Sequence, residues 1–268
     1  TAARLPLSVD LRQYASAIEN QGSIGSCTGN AIAGAIELID RKNLKSLEIS
    51  RLFIYYQERV LEGSVYYDNG AYIRDGIKAC YTWGAPLETL WPYIQSKWAT
   101  RPSSAAYLDA LYRKVTGYAK CLNFSAVKTA LAAGTPVIIG FNVYDSFESG
   151  TWANPGGNGL MPYPNVNTEQ LLGGHAVAVV GYNDNTRRLI VRNSWGTSWA
   201  DRGYFYMPYQ VIQNTTMSSD FWTITSVKIP LTSTAPETVR TTLTPVTVKT
   251  TTTGVTSPGT MRLSAPGT

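Results

Sequence analysis

One histidine occurs among the 268 residues, and it stands in Gly173-Gly174-His175-Ala176-Val177-Ala178-Val179-Val180-Gly181-Tyr182, between a glycine pair and the apolar run of an expected strand. The ordinary pKa of imidazole lies near neutrality, so any histidine-dependent acid–base chemistry runs through His175. A hydrogen-bonded structural histidine is the alternative, and one ring beside a strand has no geometry of its own to decide. The candidate nucleophiles are Cys27, Cys80 and Cys121. Cys27 falls in the first turn of an expected helix, where unpaired amide N–H groups and the helix dipole favour a thiolate, the reactive form. Cys80, within a helix, and Cys121 lack that setting and read as structural cysteines.

Two amides complete the candidate constellation. Gln21 precedes Cys27 by six residues across a glycine-rich loop, close enough for its side chain to point at an oxyanion formed at the sulfur. With the Cys27 backbone N–H it would make a two-donor oxyanion hole. Asn193, eighteen residues after His175 and on an adjacent strand, can hold the imidazole by accepting from its second ring nitrogen. Trp195 would shield that bond from water.

Positioning these residues requires helices first and strands second. Residues from Ser26 to about Lys42 contain no proline, and Ile32, Ala35, Ile36 and Ile39 fall at helical spacing, with Ser26 as N-cap. Glycines and alanines between 29 and 35 let this helix pack closely as a central element. Further helices are expected over Ser50 to about Val60, Tyr72 to Trp83, Ala105 to Arg113 and Ser125 to Ala133, with Asp68-Asn69-Gly70 in a loop. Strands are expected over Val137–Val143, His175–Tyr182, Arg188–Asn193, Gly203–Met207 and Phe221–Ile229. That order gives an α+β protein of two lobes, about 10–114 mainly helical and about 115–229 mainly β. Residues 231–268 are rich in threonine and proline, lack aromatics and form a tail with no core of its own, expected to dock on the surface without catalytic involvement.

Bulk properties narrow the class. A hydrophobic content of 44% can bury a core and excludes a wholly disordered chain. Only 15% of residues are charged, while 17 tyrosines and 7 tryptophans suit a compact protein with an aromatic-lined cleft. Net charge is +5, but Lys and Arg are scattered and form no basic stripe, so no nucleic-acid partner is expected. No apolar stretch approaches bilayer-spanning length, and three cysteines cannot make a disulfide framework.

The blocks Gln21-Gly22-Ser23-Ile24-Gly25-Ser26-Cys27, Gly174-His175-Ala176-Val177 and Asn193-Ser194-Trp195-Gly196-Thr197-Ser198-Trp199, with the opening Pro6-Leu7-Ser8-Val9-Asp10, resemble the papain-like cysteine peptidases, in the same order. The resemblance covers roughly residues 5–229. It implies a papain-like fold, a helical lobe against an antiparallel, barrel-like β lobe with the cleft between them. It also implies Cys27 as nucleophile, His175 as base, Asn193 as orienting residue and Gln21 as oxyanion donor. Asn69 and Gly70 then resemble the strip that pairs with substrate backbone, Tyr72 and Ile73 lie near an apolar pocket for the second residue before the scissile bond, and Gly174 and Trp195 flank the substrate. No cofactor or metal is implied. The partners implied are protein or peptide substrates and a propeptide or protein inhibitor, with the enzyme a monomer.

Departures from the family pattern are Ile24 where a cysteine is usual, Thr28 where an aromatic follows the nucleophile, and Ala71 where a second glycine follows Gly70. The usual disulfides of the helical lobe are therefore absent, which suggests a divergent bacterial branch resembling the xylellain-like enzymes. A Cβ at Ala71 would narrow the approach of substrate backbone. Relatives that trim carboxy-terminal dipeptides do so with histidines on an inserted loop, so a chain with one histidine is expected to be an endopeptidase. A cysteine-dependent amidase or acyl transferase acting on cell-wall peptides is an alternative, as is a non-catalytic binding module.

Overall fold

The computed structural model describes residues 4–43 and 46–228. The expectations for the 231–268 tail, and for the last residue of the final strand, lie outside them.

Helix α1 (Cys27–Lys42) is the central element, with Ile32, Ala35, Ile36 and Leu38 at most 1% exposed. Each of Ile32, Ile36 and Leu38 contributes roughly 1.5–3 kcal/mol by leaving water. Its small residues do what small residues allow. A Cβ on Gly29 would stand 2.7 Å from the Arg51 carbonyl oxygen, so α2 (Arg51–Glu62) crosses α1 with backbones nearly touching. Ser50 caps α2 by accepting from the Phe53 N–H, and Gly63 ends it in the left-handed conformation. Helix α3 (Ile73–Thr82) packs on α1 and α2, and α4 (Ser104–Ala110) follows.

The rest of the chain supplies one antiparallel sheet in the order β2 (Lys114–Lys120), β7 (Ser218–Lys228), β3 (Val137–Tyr144), β4 (Leu171–Asn183), β5 (Arg188–Arg192) and β6 (Tyr204–Pro208). Strand β1 (Ser8–Asp10) adds to β4 off that path. Helices α5 (Phe124–Ala132), α6 (Asp145–Ser149) and α7 (Tyr209–Gln213) lie between the strands. The sheet is open, with β2 and β6 at its ends, where a barrel-like lobe was expected. Strand β2 was not anticipated. It is a half-exposed edge strand whose register slips on both sides of Gly117, and such a strand carries no clean alternation.

The N-terminal segment straps across the sheet. Gly181 is required where it crosses, because a Cβ there would lie 2.2 Å from the Val9 carbonyl oxygen. Arg192 then holds the strap, donating to the carbonyls of Ser16 at 2.7 Å and Ala17 at 2.6 Å. A bridge between Asn20 and Trp195, and the Gln21 N–H on the Ser194 carbonyl at 2.8 Å, deliver residues 20–21 to the end of β5.

Candidate active site

Cys27 is the first residue of α1, and Ser26 occupies the N-cap position. The Ser26 hydroxyl caps nothing. It meets the Tyr93 hydroxyl at 2.5 Å and accepts from Asn30 Nδ2 at 3.0 Å, so first-turn N–H groups remain for the sulfur. Cys27 is buried in a cluster with Ile32, Ile73, Ile77 and, from the sheet, Ile138 and Ala176. The neighbour of Ala176 in β4 is His175, so α1 packs on the stretch of β4 that carries the imidazole.

The His175 ring is held on one side only. Nε2 donates to Asn193 Oδ1 at 2.8 Å, and that oxygen also accepts the Ser194 N–H at 2.8 Å. Nδ1 has no hydrogen-bond partner, which leaves a basic lone pair at the junction. Trp195 lies against the imidazole with ring centroids 5.0 Å apart and planes 31° apart. Phe141 and Phe147 close other sides, at 5.9 and 6.4 Å. The expected shielding by Trp195 is thus part of a larger aromatic wall.

Burial decides the charge state of the resting pair. It pushes the Cys27 thiol up to about 12 and the His175 imidazole down to about 4. The backbone N–H groups of Ala176, Thr28 and Cys27 pull the thiol the other way. The helix start therefore acts in the expected direction, but desolvation outweighs it and the resting thiol is neutral. Glu58 is itself fully buried on α2, with Oε1 accepting from the Thr28 hydroxyl at 2.5 Å and Oε2 without a partner. Burial raises its carboxyl far above the usual range, so it is uncharged.

Gln21 is fully buried beside this pair. Its Oε1 accepts from Ser194 Oγ at 2.7 Å and its Nε2 donates to the Ile24 carbonyl at 3.1 Å. The loop after it is gripped by the aromatic segment around Trp91-Pro92-Tyr93. The Tyr93 hydroxyl donates to the Gln21 carbonyl at 2.8 Å, and Gln95 Oε1 accepts from the Ser23 N–H at 2.9 Å. This support was missed because the segment follows no period.

The expected substrate-side residues fall into two groups. Asn69 is exposed, Gly70 is buried and Tyr72 is half-buried, its N–H on Glu62 Oε1 at 2.9 Å. Ile73 is fully buried at the start of α3, in the same cluster as Cys27. Ala71 is fully buried and packs with Ile24, Leu52, Phe53 and Tyr55. Its methyl group faces the core, so the narrowing expected of it does not arise. Gly174 is a buried ladder residue opposite Asn142. Cys27, Cys80 and Cys121 are all free. Among the described residues no group of three or more metal-ligating side chains occurs, and no helix is long and apolar enough to cross a membrane.

A thiol on a helix start and an imidazole–amide pair on an antiparallel sheet are the groups that thiol–imidazole chemistry requires. The model of the papain family of cysteine proteases matches residues 5–223. The uncharacterized peptidase C1-like protein L477 of Acanthamoeba polyphaga mimivirus is 40% identical over 235 residues, 83% of this chain and 74% of that protein. Cathepsin K of Mus musculus is 30% identical over 210 residues, and this chain spans 59% of its length. Among solved structures, xylellain, a cysteine protease from Xylella fastidiosa, superposes with a TM-score of 0.77 at 39% identity, over 85% of this chain and 87% of that one. The chain belongs to the papain family of cysteine proteases. A bacterial protein and a viral one stand at nearly equal identity, so the likeness marks a branch of the family and does not by itself make the chain bacterial.

Proposed function

We propose that the protein is an endopeptidase that cleaves peptide bonds through Cys27, His175 and Asn193 and a thioester intermediate. Proton transfer from Sγ to Nδ1 creates thiolate and imidazolium together, each offsetting the other's burial. The sulfur attacks the scissile carbonyl carbon, and the oxyanion is met by the Cys27 N–H and the Gln21 side-chain amide. Imidazolium returns its proton to the departing amine as the C–N bond breaks, leaving the acyl group on sulfur. Water, losing a proton to Nδ1, then hydrolyses the thioester and restores the thiol. Asn193 keeps the ring oriented throughout.

The observation that carries this reading is the one-sided ring, with Nε2 bound to Asn193 and Nδ1 left open beside Ala176, whose N–H reaches the Cys27 sulfur. Asn69 and Gly70 would align the substrate backbone. Tyr72 and Ile73 support an apolar residue second before the cleaved bond. The solitary histidine supports internal cleavage over carboxy-terminal trimming. A fluorogenic dipeptidyl amide with an apolar second residue should be hydrolysed under reducing conditions, and Cys27→Ala should abolish it. Hydrolysis that survives in C27A, or its absence from the wild type, would sink the proposal.

A further inference from the structure

Asp68 is exposed, yet one of its oxygens, Oδ1, accepts from two buried groups on different elements. These are the Gly25 backbone N–H at 2.9 Å and the Tyr55 hydroxyl, on α2, at 2.5 Å. Gly25 stands two residues before Cys27, and Asp68 directly precedes Asn69-Gly70. The two backbones nearly touch here. A Cβ on Gly25 would lie 3.1 Å from the Gly70 nitrogen and 3.3 Å from Asp68 Oδ1, tighter than ordinary contact.

Tyr55 is itself anchored. The Arg59 guanidinium stacks on its ring at 3.8 Å, and Arg59 donates to the carbonyls of Tyr55 at 3.0 Å, Val65 at 2.8 Å and Trp98. A continuous polar line therefore runs from the interior of α2 through Asp68 to the nucleophile loop. No disulfide does this work, since all three cysteines are free and Ile24 beside Gly25 only packs in the core. Tyr93 and Gln95 also grip the loop, but from the segment around Trp91, which does not carry Asn69 and Gly70.

We propose that Asp68 is a positioning residue for the peptidase reaction, its Oδ1 locking the nucleophile loop to the strip that aligns the substrate backbone. This rests on the peptidase reading of Cys27 and of Asn69-Gly70. Attacking sulfur and scissile carbonyl are held by different segments, and a misplacement of about 1 Å between them costs on the order of 10²-fold in rate. Both bonds end on the same oxygen, so one side chain ties the nucleophile loop, α2 and the strip together.

The test compares Asp68→Ala, Asp68→Asn and Tyr55→Phe in the full chain, each rate being taken per Cys27 site titrated with an epoxide inhibitor. Amide hydrolysis needs backbone alignment, whereas alkylation of the thiol by iodoacetamide does not. D68A should lose roughly tenfold or more in kcat/KM on the amide while its alkylation rate stays within about threefold of wild type. D68N keeps an acceptor oxygen and should recover most of the loss, and Y55F should lose about threefold. The inference is overturned if D68A and Y55F both stay within about twofold of wild type on the amide, if amide and alkylation rates fall in parallel, or if D68N is as impaired as D68A. Should D68A not fold, D68N and Y55F carry the same comparison. A wild-type protein that the epoxide does not label would instead remove the peptidase reading on which the inference rests.

Discussion

The resting thiol and imidazole are stored uncharged, and that has a kinetic signature. A Cys27 whose own pKa sits at about 12 presents little thiolate at neutral pH, so reactivity there depends on transfer to Nδ1 of His175. His175→Ala should lower the rate of Cys27 alkylation at pH 7 by about 10²-fold or more, and the residual rate should climb about tenfold per pH unit toward the alkaline range. Wild type should instead reach a plateau near neutrality whose apparent pKa values belong to the pair. A wild-type profile that rises to high pH like that of H175A would contradict this account. Asn193→Ala removes the bond that fixes the ring and should lower kcat far more than it raises KM, which steady-state kinetics on the same amide would show. Cys27 and His175 stood out in the sequence as candidates because the chain has one histidine and three cysteines, and Gln21 and Asn193 followed from their spacing to them. Asp68, Tyr93 and Gln95 did not stand out, since each is an ordinary type whose part arises only from a contact across many residues of chain.

At the scale of elements, the junction of α1 and α2 holds a carboxylic acid where an apolar contact would have served. Glu58 is kept neutral by burial and accepts from Thr28, the residue that stands where the family has an aromatic. Its raised pKa means the folded state holds a proton that the unfolded chain gives up above the ordinary carboxyl value, so its contribution is full in acid and lost as pH rises. Glu58→Gln should therefore fold with a cost under about 1 kcal/mol at pH 5 and become more stable than wild type by pH 8, as urea titrations at the two pH values would show. Thr28→Val leaves the buried carboxyl without its donor and should cost about 1–3 kcal/mol. Helices α1 to α3 were legible from their apolar period, while the cap expected of Ser26 is not made and the one Ser50 makes on α2 was not anticipated. The Thr28–Glu58 pair was not legible, because its partners lie thirty residues apart and neither breaks a pattern.

For the whole molecule, the proposed nucleophile Cys27 sits where helical and sheet elements meet, inside a cluster drawn from both. Burial there couples stability to pH with opposite signs. The folded thiol of Cys27 stays protonated up to about 12 whereas an unfolded one ionises near 9.0, so stability falls as pH rises through that window. The folded imidazole stays neutral down to about 4 while an unfolded one protonates near 6.5, so stability falls as pH drops through that window. Glu37, raised to about 7, acts against the second trend, which makes the difference between wild type and variant the quantity to read. Thermal melts of C27A should lose less stability above pH 9 than wild type, and those of H175A less below pH 6. The α+β class was visible in the run of helices before strands. The open sheet was not, because closure depends on how β2 and β6 end up placed, and single strands do not encode that.

In the proposed reaction one thiol, activated by the one histidine, performs the chemistry. Incubation of the reduced protein at neutral pH with a limiting epoxide, followed by peptide mass mapping, tests it most directly. Label confined to Cys27, with amide hydrolysis lost in proportion to it and labelling about 10²-fold or more slower in H175A, is the predicted result. Label on Cys80 or Cys121 with hydrolysis intact, or equal labelling of Cys27 in wild type and H175A, would contradict it.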